Sequence, residues 1–217
     1  MNHSALFHDK ALELVSVGKF LFDNGWSPAT SSNYSVRLDA NHIAITVSGR
    51  PKGELTAADI MVVDLQGQAV GSDKKPSAET LLHTLLYERN PDVQSVLHTH
   101  SVRGTVLSKH YAVQGYIEFE DYEVLKALQG ITTHDTRLAM PIFPNTQNMP
   151  ELAERVSAYL HENPAIHGYL IAGHGLYTWG QSVADARRHV EASEFLLECE
   201  LLRLQLMHSP CLPPTRQ

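Results

Sequence analysis

The 217-residue chain is 43% hydrophobic and 19% charged, with a formal net charge of −7, the make-up of one folded domain with a sizeable core rather than of a disordered polymer. An acidic chain without a long basic run lacks the footprint for a nucleic-acid backbone, so nucleic acid is excluded as the expected main partner. No apolar stretch approaches bilayer length, and the opening MNHSALFHDK has no basic segment followed by an apolar one; no membrane span or secretory leader is expected, and the expected location is cytoplasmic.

In chain order, Phe7, Ala11, Leu14, Val15 and Leu21 recur near helical spacing and predict a helix over residues 6–23, stopped by Asn24-Gly25. Alternating apolar residues predict strands over 33–38 and 42–47, joined at Asp39-Ala40-Asn41 as an antiparallel pair. A loop over 48–53 leads to a helical turn at Thr56, whose spacing to Asp59 is that of a capping box. A strand over 61–65 and a turn at Gly67 follow. Ser77 is expected to cap a helix over 78–88 that Asn90-Pro91 ends.

A strand over 93–98 then delivers the chain into His98-Thr99-His100-Ser101. Short helices are expected at 102–108 and 122–128. Asn148 and Glu151 form a second capping pair, opening a helix to about residue 161. Strands over 168–171 and 176–179 flank Gly173-His174-Gly175, and Ser182 with Asp185 caps a long helix to about residue 207. Cys199, in a leucine-rich pattern, reads as a small buried hydrophobe. Cys211 lies in the proline-bearing tail, 209–217, which is expected to be flexible. The expectation is one α/β domain over 1–208, layered α/β/α, with helices on both sides of a mixed, largely antiparallel sheet.

Among 13 histidines, His98 and His100 stand apart. Residues i and i+2 of a strand point the same way, so both imidazoles face one side where a strand gives way to a loop. Neutral imidazole is a good ligand for zinc and similar ions. His174, between two glycines at another strand end, is the candidate third ligand. Three protein ligands leave a position open for substrate, unlike a closed structural site.

Two glutamates are candidate proton carriers: Glu79, in the first turn of the helix expected after Ser77, and Glu123, in the acidic stretch that also holds Glu118, Glu120 and Asp121. Each also fits a solvated acid favoured at a helix start. Thr30-Ser31-Ser32-Asn33, the loop Ser48-Gly49-Arg50-Pro51-Lys52-Gly53 and Ser77 together offer small donors and two cations for a phosphate. Neither a phosphate-cradling GxxxxGK[ST] loop nor a dinucleotide GxGxxG is present.

These residues resemble a known family. Ser31-Ser32-Asn33-Tyr34-Ser35, Ser48-Gly49, Pro76-Ser77-Ala78-Glu79, His98-Thr99-His100 and Gly173-His174-Gly175-Leu176 are similar, in order and spacing, to the motifs of the class II (zinc-dependent) sugar-phosphate aldolases. The resemblance spans nearly the whole chain. It implies a class II aldolase-like fold, one zinc ion per subunit on His98, His100 and His174, and a small phosphorylated ketose as substrate. It places the phosphate at Asn33, Ser48, Gly49 and Ser77, with Ser31, Ser32 and Lys52 beside them, and implies a homotetramer with sites near subunit boundaries.

In the aldolases the acid/base matches Glu79; in a dehydratase subgroup it matches Glu123. Tyr122-Glu123-Val124-Leu125-Lys126, Pro141–Gln147 and Gly173–Gly180 favour the subgroup, which implies a lyase removing water from the ketose through a zinc-stabilised enediolate. The alternatives are an aldolase cleaving a ketose 1-phosphate such as fuculose 1-phosphate, and a non-catalytic interaction domain of the same fold. The aldolases commonly carry a second serine where this chain has Ala78, which removes one phosphate contact.

Overall fold

The structure, a computed structural model, describes residues 3–208; the tail over 209–217, with Cys211, lies outside the described residues. Helix α1 (His3–Asp23) leads to strands β1 (Asn33–Arg37), β2 (His42–Thr46), β3 (Ile60–Asp64) and β4 (Ala69–Val70), then to helix α2 (Thr80–Arg89). Strand β5 (Ser95–Thr99), helix α3 (Val102–His110), strands β6 (Tyr116–Glu120) and β7 (Arg137–Phe143), and helix α4 (Met149–Glu162) follow. Strands β8 (Gly168–Ile171) and β9 (Gly175–Gly180) precede helix α5 (Val183–His208). Among the described residues no helix is long and apolar enough to cross a membrane.

The strands form a nine-stranded sheet in the order β4-β3-β2-β1-β5-β9-β8-β7-β6. Each neighbouring pair is antiparallel except β7 with β8. The order puts β5 beside β1 on one side and β9 on the other, with Asn33 opposite His98 and His98 opposite Tyr177. Three segments far apart in sequence are thereby brought to one place.

Alternation along the strands divides the core between two faces. Ile43 and Ile45 pack with Leu82 and Leu86 of α2 and Leu152 and Val156 of α4, whereas Ala44 between them faces Leu14 and Leu21 of α1. Toward the other end of the sheet, Leu170 and Leu176 meet Leu107 of α3 and Leu196 and Leu197 of α5. The result is the three-layer α/β/α arrangement with a mixed, largely antiparallel sheet.

Several local details differ from expectation. The helix after Ser77 begins two residues late, at Thr80, with Glu79 at its N-cap position. Ser77 instead closes a turn, its carbonyl accepting from the amide and the hydroxyl of Thr80, while Pro76 bridges to Val47. Residues Glu123–Ala127 form a 3₁₀ rather than an α-helix. Cys199 is half-buried rather than buried. Strands β4, β6 and β7 escaped the sequence reading altogether. The capping box at Thr56 and Asp59 and the cap at Asn148 are formed as expected.

Helix α5 carries a buried acid, Glu194, which is 1% exposed. Burial pushes its carboxyl up to about 7, the neighbouring Ser101 and Arg103 offsetting only part. A carboxyl whose folded pKa is raised binds more protons folded than unfolded, so its contribution to stability is complete below the unfolded value of 4.5 and is lost as pH rises through about 7. Glu194→Gln should therefore match the parent near pH 4.5 and melt higher above pH 7.5, by roughly 3 kcal/mol in stability. Parallel pH–melting curves for the two proteins would contradict this.

Candidate metal centre and anion pocket

His98 sits in β5 and His100 just beyond it; His174 lies in the turn between β8 and β9. One ligand nitrogen from each lies within 4.8 Å of the other two. The ring centroids are 4.5 Å apart for His98 and His100, 5.0 Å for His98 and His174, and 4.6 Å for His100 and His174. The three histidines singled out in the sequence do converge.

Their hydrogen bonds decide which nitrogens are free. His98 Nδ1 is 3.0 Å from the Leu176 carbonyl, an acceptor only, so Nδ1 carries the proton. Burial holds the His98 ring well below its ordinary pKa and pulls His100 down to about 4, so both rings are neutral and the lone pair of His98 is on Nε2. That nitrogen faces His100 Nε2 at 2.7 Å and Glu79 Oε2 at 3.3 Å, and Glu79 Oε1 is 3.0 Å from His174 Nε2. Imidazole lone pairs and a carboxylate turned inward on one point form the donor set of a divalent cation such as zinc, and these residues fit one.

Glu79 is the hub. Burial opposes its ionisation; positive charge on His98 or His174, where either ring is protonated, and a hydrogen bond from Asn33 pull the other way and hold the carboxyl below the usual carboxylate range. Asn33 Nδ2 and the Tyr177 hydroxyl each donate to Oε2 at 2.9 Å. Tyr177 also stacks on His98, 4.0 Å between centroids. Glu79, His100 and His174 line a cavity of about 600 Å³, with Val102, Val106, Asn145 and Gln147 among its other walls.

Glycine is required at one point of this site. A Cβ on Gly175 would collide with the Thr99 carbonyl and lie 2.9 Å from His98 Cε1. Gly175→Ala is expected to cost about 1–3 kcal/mol and to displace His98, so that melting temperature and retained zinc fall together. A variant unchanged in both would contradict this packing.

The segments expected to form an anion pocket do adjoin. Asn33 Nδ2 lies 3.3 Å from Ser77 Oγ, and the Ser48 amide pairs with the Lys75 carbonyl. Gly49, at φ +77°, has open space around it, and Ser32 is held at φ +72° with its side chain buried. Two residues differ in role from expectation. Lys52 is 1% exposed, and its ammonium donates to the carbonyls of Thr30 and Arg50, stapling the two loops from within; burial lowers it to about 8. Ser31 turns its hydroxyl to the Pro28 carbonyl. Arg50, the other cation of the loop, pairs with Asp59.

Glu123 lies apart from the histidines' contacts within its own chain. It is exposed, pairing with Lys126 and with His134, and does not line the cavity. Sequence reading missed Tyr177, Val102, Val106 and the buried residues behind Asn33. A helical signal for one of the latter was available: His83 follows Glu79 by four residues, one turn along the same face.

A zinc-fitting histidine triad beside adjoining loops rich in small donors, on this sheet order, is the arrangement of a metal-dependent enzyme. The class II aldolase and adducin N-terminal domain family matches residues 12–201, and the chain belongs to it. Within that family it is 57% identical over 191 residues to the methylthioribulose-1-phosphate dehydratase of Marinobacter nauticus, covering 88% of this chain and 92% of that protein. It is 56% identical to the same-named enzyme of Hahella chejuensis, over 92% and 96% of the two chains. Among solved structures, L-fuculose 1-phosphate aldolase shares the fold with a TM-score of 0.76, at 24% identity, over 95% of this chain and 91% of that one. YgbL of Klebsiella pneumoniae follows at a TM-score of 0.73 and 26% identity, over 94% and 92%.

Proposed function

We infer that the protein is a zinc-dependent lyase of methionine salvage that dehydrates 5-methylthioribulose 1-phosphate to 5-methylthio-2,3-dioxopentyl phosphate. The observation that carries this reading is the 57% identity, over nine-tenths of both chains, to a methylthioribulose-1-phosphate dehydratase, joined to the convergence of His98, His100 and His174.

His98, His100 and His174 hold the ion, which when bound supplies a Lewis acid that draws charge from the ketose carbonyl. Asn33, Ser48, Gly49 and Ser77 receive the phosphate, with Ser31 and Ser32 beside them and Lys52 fixing the loops from beneath. Gripping the phosphate sets the distance of the reacting carbons from the histidines, so that binding energy remote from the reaction orients it.

The chemistry needs a proton removed from C3 and one delivered to the departing C4 hydroxyl, because hydroxide is a poor leaving group. Glu123 is assigned proton transfer in one or both of these steps, the C3 proton leaving as the enediolate forms and the C4 oxygen being protonated as water leaves. The enol that remains ketonises to the diketone. Glu79, already hydrogen-bonded by Asn33 and Tyr177, orients the site and shares proton handling. The enzyme is read as a cytoplasmic homotetramer acting on a small molecule, without nucleic acid or membrane. An assembly with sites at subunit boundaries gives the exposed Glu123 a route to a neighbouring cavity.

Product analysis tests the reading. Incubated with 5-methylthioribulose 1-phosphate, the protein should yield the diketone without carbon–carbon cleavage, and chelator should stop it. Release of dihydroxyacetone phosphate and an aldehyde from a ketose 1-phosphate, with no diketone, would establish the aldolase instead.

A further inference from the structure

Behind Glu79 a line of buried polar groups runs away from the cavity. Asn33 Oδ1 is hydrogen-bonded to His83 Nε2. On the far side of that ring, Nδ1 is 2.7 Å from Ser35 Oγ, which is 2.8 Å from the Tyr87 hydroxyl. His83 and Ser35 are 0% exposed, and Tyr87 is 2% exposed. The sheet supplies Asn33 and Ser35, alternate residues of β1 on one face, and α2 supplies His83 and Tyr87, one turn apart.

The direction of every proton in this line is fixed. A carboxylate only accepts, so Asn33 must present its NH₂ to Glu79 and hence its carbonyl to His83. A carbonyl only accepts, so His83 Nε2 must donate. Burial holds His83 down to about 3, so the ring is neutral and its Nδ1 accepts from the Ser35 hydroxyl. Ser35, its proton committed, takes one from Tyr87. Reversing any one link would leave two donors or two acceptors face to face among buried side chains, at a cost of the order of 1–3 kcal/mol.

We propose that His83 is a positioning residue for the dehydration: it fixes the side-chain amide of Asn33, and through it both the Glu79 carboxylate and the phosphate subsite. Asn33 is the junction, since the same Nδ2 that donates to Glu79 lies 3.3 Å from Ser77 Oγ on the phosphate side. With Nε2–H absent, the amide is free to flip, turning its carbonyl toward Glu79, where two acceptors repel. His83 touches neither the histidine triad's ligand nitrogens nor the cavity; it acts by holding one amide in one orientation.

The test uses two amides of different reach. In His83→Gln the side-chain NH₂ extends about as far as the lost Nε2 and can still donate to Asn33; in His83→Asn it reaches only the level of Nδ1. Zinc content and melting temperature are measured first, then kcat and KM with 5-methylthioribulose 1-phosphate. His83→Gln is expected to stay within about threefold of the parent in kcat/KM, and His83→Asn to fall about 10–100-fold with zinc retained. Combined with Asn33→Ala, His83→Asn should add nothing further, because its effect passes through the missing amide.

The kinetic arm rests on the dehydratase reading, so a second arm does not. Binding of inorganic phosphate to the zinc-loaded protein, followed by ³¹P line broadening, should weaken in His83→Asn, recover in His83→Gln and be indifferent to position 83 once Asn33 is alanine. Absent turnover with this phosphate pattern intact would refute the substrate and leave the positioning role standing. Equal behaviour of the Gln and Asn variants, or losses that multiply in the double variant, would overturn it.

Discussion

Alanine at His98, His100 or His174 is expected to take zinc from about one ion per chain to almost none, and turnover down by on the order of a thousandfold or more. Among the described residues, each ring supplies one of the three imidazole nitrogens that lie within 4.8 Å of one another, and losing any one removes a neutral donor from the set that fits the ion. The three losses should differ in what else they damage. His98 is fully buried, donates to the Leu176 carbonyl and stacks on Tyr177, so His98→Ala leaves a buried carbonyl unpaired and a void, and should also lower the melting temperature. His174 lies partly exposed in a turn, and His174→Ala should lose metal with little change in the stability of the metal-free protein. Full zinc occupancy in all three variants, measured by metal analysis of the purified proteins, would remove the proposed electrophile.

Glu123→Gln should be the purest catalytic loss. The substitution keeps size and removes only the ability to exchange a proton, and a well-placed general acid or base contributes roughly 10²–10⁴-fold. Glu123 is 70% exposed and held only by surface pairs with Lys126 and His134. Exposed pairs add little to stability, so melting temperature and zinc content should match the parent while turnover collapses. Near-normal turnover in a folded, zinc-loaded Glu123→Gln protein would move the proton chemistry to Glu79, already in contact with two of the histidines.

How much of this was legible in the sequence depended on whether the signal was local. Phe7, Ala11 and Leu14 in α1, the alternation through Tyr34 and Val36, and the caps at Thr56 and Asn148 are short-range patterns, and the elements they mark are present. Strand β6 has the alternating burial of an edge strand, yet Glu118 and Glu120 on its exposed side made the stretch look merely acidic. In β7, Pro141 masks a strand whose pairing is set by distant partners. The helix after Ser77 starts late because its first residues answer to the site, with Glu79 drawn to the histidines and Ser77 tied to Thr80.

The site divides in the same way. His98 and His100 were readable as a pair because a strand has period two, but their meeting with His174 depends on β9 lying beside β5, which only the folded sheet determines. Of the buried line from Asn33 to Tyr87, only the helical spacing of His83 from Glu79 was legible, since the other members have ordinary structural uses and only the packing of α2 on β1 joins them. Lys52 illustrates the converse: a cation in a glycine-bearing loop suggested a phosphate ligand, and the structure turns its ammonium inward onto two carbonyls.

Zinc titration of the metal-free protein addresses the central claim most directly. Turnover of 5-methylthioribulose 1-phosphate should rise in proportion to added zinc and break at one equivalent per chain, with His174→Ala giving no rise. Undiminished dehydration by the metal-free protein, or a His174→Ala variant that titrates like the parent, would contradict it.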